Sequence, residues 1–155
     1  MSKQHFYRQT FLLALICGIL MPMLSYCTED TDFDDLPAPI QKFVAKYYPE
    51  IAVEDYNFSN GVYTVSLRGS AMMHFDAQMV WTSVDGRGGV LPQMFLYDEM
   101  PEAVYEFLET TGSVGRVYSA TRNSSMFALH LLDQDIVYDI ASGQVSTVTA
   151  KAADL

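Results

Sequence analysis

Tyr63-Thr64-Val65-Ser66-Leu67 places a large apolar side chain at every second position, and Phe127-Ala128-Leu129-His130-Leu131 does the same about 64 positions later. The surroundings recur too. Leu36-Pro37 followed by Ile40, Phe43 and Val44 precedes the first stretch, and Met100-Pro101 followed by Val104, Phe107 and Leu108 precedes the second. Each closes on an aromatic-aspartate pair, Phe75-Asp76 and Tyr138-Asp139. A pattern written twice at fixed spacing decides architecture before any single residue does, and the recurring positions are apolar or turn positions rather than reactive ones. The expectation is an α+β fold of two tandem repeats, each a helix plus a four-stranded antiparallel sheet, with the helices packed on one face.

Within the first repeat, Ile40, Phe43, Val44 and Tyr47 fall at i, i+3, i+4 and i+7, a single apolar stripe on a helix. Asp34 and Asp35 are expected near its start, Pro37 and Pro39 fit its first turn, and Pro49 ends it. Strands are predicted over 53–58, 62–68, 72–76 and 79–84, with Asn60-Gly61 as a two-residue hairpin turn. Residues 85–89, Asp-Gly-Arg-Gly-Gly, read as a flexible loop, and Leu91-Pro92 as the start of a connecting segment reaching Met100. The loop has neither the Lys-Ser/Thr ending of a P-loop nor the spacing of a dinucleotide fingerprint. The second helix is expected after Pro101 with Gly112 as its stop, then strands over 115–121, 126–132, 135–140 and 144–149.

Working outward, residues 1–27 read as a signal peptide: Lys3 and Arg8 give a basic start, and the apolar run 11–20 is too short for a stable span. Two endings are open. Ser25-Tyr26-Cys27 suits cleavage after Cys27, whereas Leu24-Ser25-Tyr26-Cys27 resembles a bacterial lipobox in which Cys27 would be lipidated. Residues 28–35 then form an acidic tether, 36–90 the first repeat and 91–155 the second, the two making one continuous domain. The predicted location is the periplasm, or the outer membrane or cell surface of a Gram-negative bacterium as a lipoprotein. Cys17 and Cys27 both fall in or at the edge of the signal, so the processed chain would hold neither a disulfide nor a thiol nucleophile.

All 19 acidic residues lie beyond Cys27, and two of the nine basic ones precede it, leaving seven cations against 19 carboxylates, a net charge of −12. Such a surface repels phosphate backbones and anionic headgroups. Nucleic acid is excluded as a partner, and membrane contact is expected only through a lipid anchor at Cys27.

With these residues in view, Leu36-Pro37, the helix stripe, Tyr47-Tyr48-Pro49, the Tyr63–Leu67 alternation and Phe75-Asp76 followed by Trp81 resemble the bacterial PepSY-like family. That family is similar in fold to the β-lactamase-inhibitor protein, whose tandem helix-plus-sheet repeats form one curved sheet. The resemblance covers about residues 36–148 and implies binding or inhibition of exported enzymes, with no catalytic group. Two positions depart from the pattern: Met79 stands where the family tends to have Gly, and Val145 replaces the second copy's Trp.

A search for chemistry finds little. His74 and His130 are the only histidines after Cys27, each beside strand residues, and no His or Cys pair has metal-ligand spacing. Asp30, Asp32, Asp34 and Asp35 could hold calcium only loosely; no cofactor and no metal site is predicted. Asp76 and Asp139 precede turns, where aspartate caps backbone amides, which sets them apart from an acid/base pair. The expected site is instead a surface. With Tyr63, Val65, Leu67, Phe127, Leu129 and Leu131 facing the helices, the opposite face would carry Thr64, Ser66, Arg68, Met72, His74, Trp81 and His130 and bind an unknown exported or envelope protein or peptide. The sequence thus describes a non-catalytic, exported binding or inhibitory module. Its alternative, a small exported hydrolase using carboxylates, requires two carboxylates, or a His and an Asp, converging in a pocket.

Overall fold

The computed structural model describes residues 33–149. The predicted signal peptide, Cys27 and most of the acidic tether lie outside the described residues. A short 3-10 turn, Phe33–Asp35, leads into helix α1, Ala38–Tyr47. Pro37 caps α1 with no side-chain hydrogen bond, and the amide side chain of Gln41 reaches back to the carbonyls of Phe33 and Asp34. Asp34 and Asp35 lie near the start of α1, as expected, in the 3-10 turn that precedes it. Ile40, Val44 and Tyr47 are buried, and the helix stops where Tyr48, restricted by the following proline, leaves helical geometry.

Strands β1 (Val53–Ser59), β2 (Val62–Leu67), β3 (Met72–Phe75) and β4 (Trp81–Asp85) follow. Asn60 and Gly61 both take positive φ, 53° and 79°, which lets the hairpin turn match the twist of its strands. Next come helices α2 (Gln93–Glu99) and α3 (Glu102–Thr110), a 3-10 turn at Val114–Arg116, and strands β5 (Ser119–Arg122), β6 (Met126–His130), β7 (Gln134–Asp139) and β8 (Gln144–Thr149). All eight strands form one antiparallel sheet in chain order, β4 pairing with β5 across the helical segment.

Three departures from the sequence reading have local causes. The segment 91–100, expected to be a connector, holds α2, whose Phe95 and Leu96 enter the core while Met94 and Tyr97 stay outside. Seven residues give barely two turns, too few for a period to show. Strand β4 begins at Trp81 because Asp76 accepts hydrogen bonds from the amides of Gln78 and Val80 and holds 76–80 as a turn. Met79 lies in that turn at φ 61°, the left-handed conformation that favours glycine, at a cost of about 1–2 kcal/mol. Finally, the 3-10 turn delays β5 until Ser119, since Arg116 bonds back to Ser113.

The core lies between one sheet face and the three helices found among the described residues. Ile40 and Val44 from α1, Phe95 and Leu96 from α2, and Val104 and Leu108 from α3 share it with Val65, Leu67, Met73, Phe75, Val84, Leu129 and Ile136. Each such side chain stabilises the fold by about 1.5–3 kcal/mol relative to exposure.

Candidate functional site

Cross-strand pairing fixes what each sheet face carries. Tyr56, Val65, Met73, Val84, Ala120, Leu129 and Ile136 pair successively across the sheet and point to the helices. Alternation puts their neighbours on the other side. One row of that opposite face runs Asn57, Thr64, His74, Ser83, Thr121, Ala128, Val137, Ser146, and the next runs Asp55, Ser66, Met72, Asp85, Ser119, His130, Asp135, Val148. No described element covers these rows, and apart from Ser66 their residues are partly or fully exposed.

Met72, His74 and His130, three of the five predicted surface residues, lie on this open face. Trp81 does not. It is 2% exposed, on the helix side, stacked edge-on against Phe95 and Phe127. The cause is a β-bulge: His74 pairs with Ser83 but Phe75 with Trp81, so an extra residue at Thr82 reverses the alternation and turns the indole inward. Arg68 is also outside the rows, in the exposed turn just beyond β2, where its amide bonds the Ala52 carbonyl. The indole expected on the open face is consequently absent from its rows; hydroxyl, amide, imidazole, carboxylate and aliphatic or thioether side chains stand there instead.

Inside, Trp81 anchors a polar cluster that the sequence reading missed. Its indole N–H donates to Glu99 Oε2 at 2.7 Å, and the Tyr47 hydroxyl donates to Glu99 Oε1 at 2.7 Å. Arg122 lies 4.5 Å over the indole and donates from Nε to the Trp81 carbonyl at 2.6 Å. Burial lowers the pKa of Arg122, opposed by the charges of Glu99 and Asp76. Burial, helped by the bond to Glu99 and the nearby carboxylates, raises that of Tyr47. Both Glu99 oxygens, the indole N–H and the Tyr47 hydroxyl are thus paired, and the cluster ties α1, α2 and the sheet together. No sequence motif links residues 47, 81, 99 and 122, which only the fold makes neighbours.

On the open face, His130 Nδ1 and Asp135 Oδ1 are 2.8 Å apart, and Ser119 is the cross-strand partner of His130. His74 Nδ1 meets the Thr64 hydroxyl at 3.2 Å. The two histidines are three strands apart, about 14 Å. Asp76 and Asp139 stand at the ends of β3 and β7, about 19 Å apart by strand spacing. Asp139 accepts hydrogen bonds from the Ser142 amide and hydroxyl, which lower its pKa. Among the described residues no three His, Cys, Asp or Glu side chains come together as metal ligands. A shallow apolar groove of about 440 Å³, lined by Phe33, Val44, Tyr48, Pro49 and Ile51, contains none of the predicted site residues. No helix among the described residues is long and apolar enough to cross a membrane.

No protein-family model matches the chain, and neither does any curated protein. Solved structures do. A protein described as periplasmic and of the DUF2874 family from Bacteroides vulgatus aligns with a TM-score of 0.62 at 18% identity, over 76% of this chain and 93% of its own. A Bacteroides thetaiotaomicron protein, described as calcium-regulated and periplasmic, gives 0.61 at 16% identity over 76% and 93%. A further Bacteroides vulgatus protein, described as periplasmic and of unknown function, gives 0.61 at 18% over 76% and 95%. At such identities the likeness shows the fold alone: an α+β chain with one antiparallel sheet.

Proposed function

We propose that this chain is an exported, non-catalytic module of the bacterial envelope, built from two tandem PepSY-like repeats, that binds a protein or extended peptide through the open sheet face. The observation that carries the reading is the sheet face that no described element covers: two rows of mixed polar and apolar side chains running across all eight strands, with every described helix on the other side. The periplasmic descriptions of the structural neighbours support export, as do Lys3, Arg8 and the apolar run that follows. The lipid anchor at Cys27 belongs to the same reading.

The hydrolase alternative gains one feature, the line of Ser119, His130 and Asp135. Against it, the group lies on an open sheet, and the backbone N–H groups of central strands are committed to the ladder, which leaves no donor pair for an oxyanion. Asp76 and Asp139 are too far apart for glycosidic work, which needs carboxyl groups about 5–9.5 Å apart.

The test is site-specific photo-crosslinking in cells, with the crosslinker at His74 or His130 on the open face and, separately, at Lys42 on α1. The same protein should be trapped from both open-face positions and not from Lys42. Equal trapping from all three, or none from the open face, would overturn the reading.

A further inference from the structure

Strands β1 and β8 are the two edges of the sheet, and they are built differently. An edge exposes a row of free N–H and C=O groups, and proteins blunt such rows with charge, bulges or proline. Strand β1 has two of these devices. Glu54 and Asp55 are charged and exposed, Glu54 pairs with Arg87 at 3.2 Å, and the register with β2 shifts between Val53 and Asp55. Strand β8 has none. Gln144-Val145-Ser146-Thr147-Val148-Thr149 contains no charge, proline or glycine, and all six residues pair with β7 in unbroken register. Val148 is 54% exposed, and no described strand lies beyond it.

We propose that β8 pairs antiparallel with β8 of a second copy of this chain, joining two sheets into one of sixteen strands. A second copy is singled out by closure and by the seam itself, an uncharged strand that sets no like charges against an identical one. A two-fold axis normal to the sheet keeps helices beside helices and open face beside open face, and it centres the pairing on Ser146 or Thr147. In either register only uncharged side chains meet, most of them β-branched or hydroxyl-bearing, whereas the bodies of two acidic copies repel one another. Pairing β8 with β1 of another copy would set Glu54, Asp55 and the bulge against it and leave free ends that grow into fibres. With both β1 edges guarded, growth stops at two copies. This inference is independent of what the open face binds, though it would double that face.

Sedimentation equilibrium of the processed protein tests it. A monomer–dimer equilibrium is expected that tightens as salt rises from about 0.01 to 0.1 M, because the Debye length shrinks from about 30 to 10 Å. Ser146→Lys and Val148→Lys, both at exposed positions, should each raise the dissociation constant at least about tenfold by setting like charges across the axis. Asn57→Lys on β1 should leave it unchanged. A wild type that stays monomeric at millimolar concentration, or a dimer indifferent to both β8 variants, would overturn the proposal. If either variant loses its circular dichroism, hydrogen exchange on the wild type decides. Alternate β8 amides must gain protection as concentration rises, and their failure to do so would equally sink the idea.

Discussion

Tyr48 shows how one atom can work against its own side chain. The ring is almost wholly buried, at 6% exposure, yet its hydroxyl finds no hydrogen-bond partner among the described residues. An unsatisfied buried hydroxyl costs about 1–3 kcal/mol. Tyr48→Phe should therefore stabilise the protein by about 1 kcal/mol, read as a higher urea midpoint at unchanged slope. The pH dependence has a definite sign. Burial raises the Tyr48 pKa above its ordinary value of 10.0, so the folded state holds the proton more tightly than the unfolded chain does. The Tyr48 contribution is level below about pH 10 and is lost as pH rises beyond it, and Tyr48→Phe should make that alkaline fall shallower. Trp81 offers the opposite case. Its indole is satisfied by Glu99, so replacing it would probe folding and say little about recognition.

At the level of elements, α2 matters most for stability among the features the sequence concealed. Phe95 touches Phe43, Tyr47 and Trp81 edge-on, joining α1 to the sheet through a helix of seven residues. Phe95→Ala should cost about 3–5 kcal/mol, as for a core aromatic, measured by chemical denaturation. A connector would lose under 1 kcal/mol. The longer helices were legible because four apolar positions at helical spacing leave no competing period, and the hairpin at Asn60-Gly61 because its residue types tolerate positive φ. Asp76 and Asp139 read correctly as turn caps for the same local reason. The bulge at Thr82 was not legible: an extra residue in a strand leaves no mark on composition, yet it moved Trp81 from one face to the other. Met72, His74 and His130, on regular strands, lie on the face expected of them, whereas Trp81, beside the irregularity, and Arg68, just past the end of β2, lie outside its rows.

Across the whole molecule, charge opposes compactness. Residues 28–155 carry a net charge of −12, and Lys46, Arg87 and Arg116 are paired with Asp98, Glu54 and Asp133. The remaining carboxylates repel one another, and added salt screens them. Thermal melts should shift upward between about 0.01 and 0.2 M sodium chloride by a few degrees. A downward shift would mean that the ion pairs outweigh the repulsion. The open face was not legible as a unit in the sequence, because a sheet face is defined by register between strands and not by any contiguous motif.

In this sheet each strand's spatial neighbour is also its neighbour along the chain, β4 and β5 alone being separated by helices. Little loop entropy has to be overcome before a contact forms, a condition associated with fast folding. A chain threaded N-terminus first through a membrane channel could lay down each strand on the one before it, without waiting for its last residues to emerge. The exposed, sticky interval that invites aggregation would be correspondingly brief.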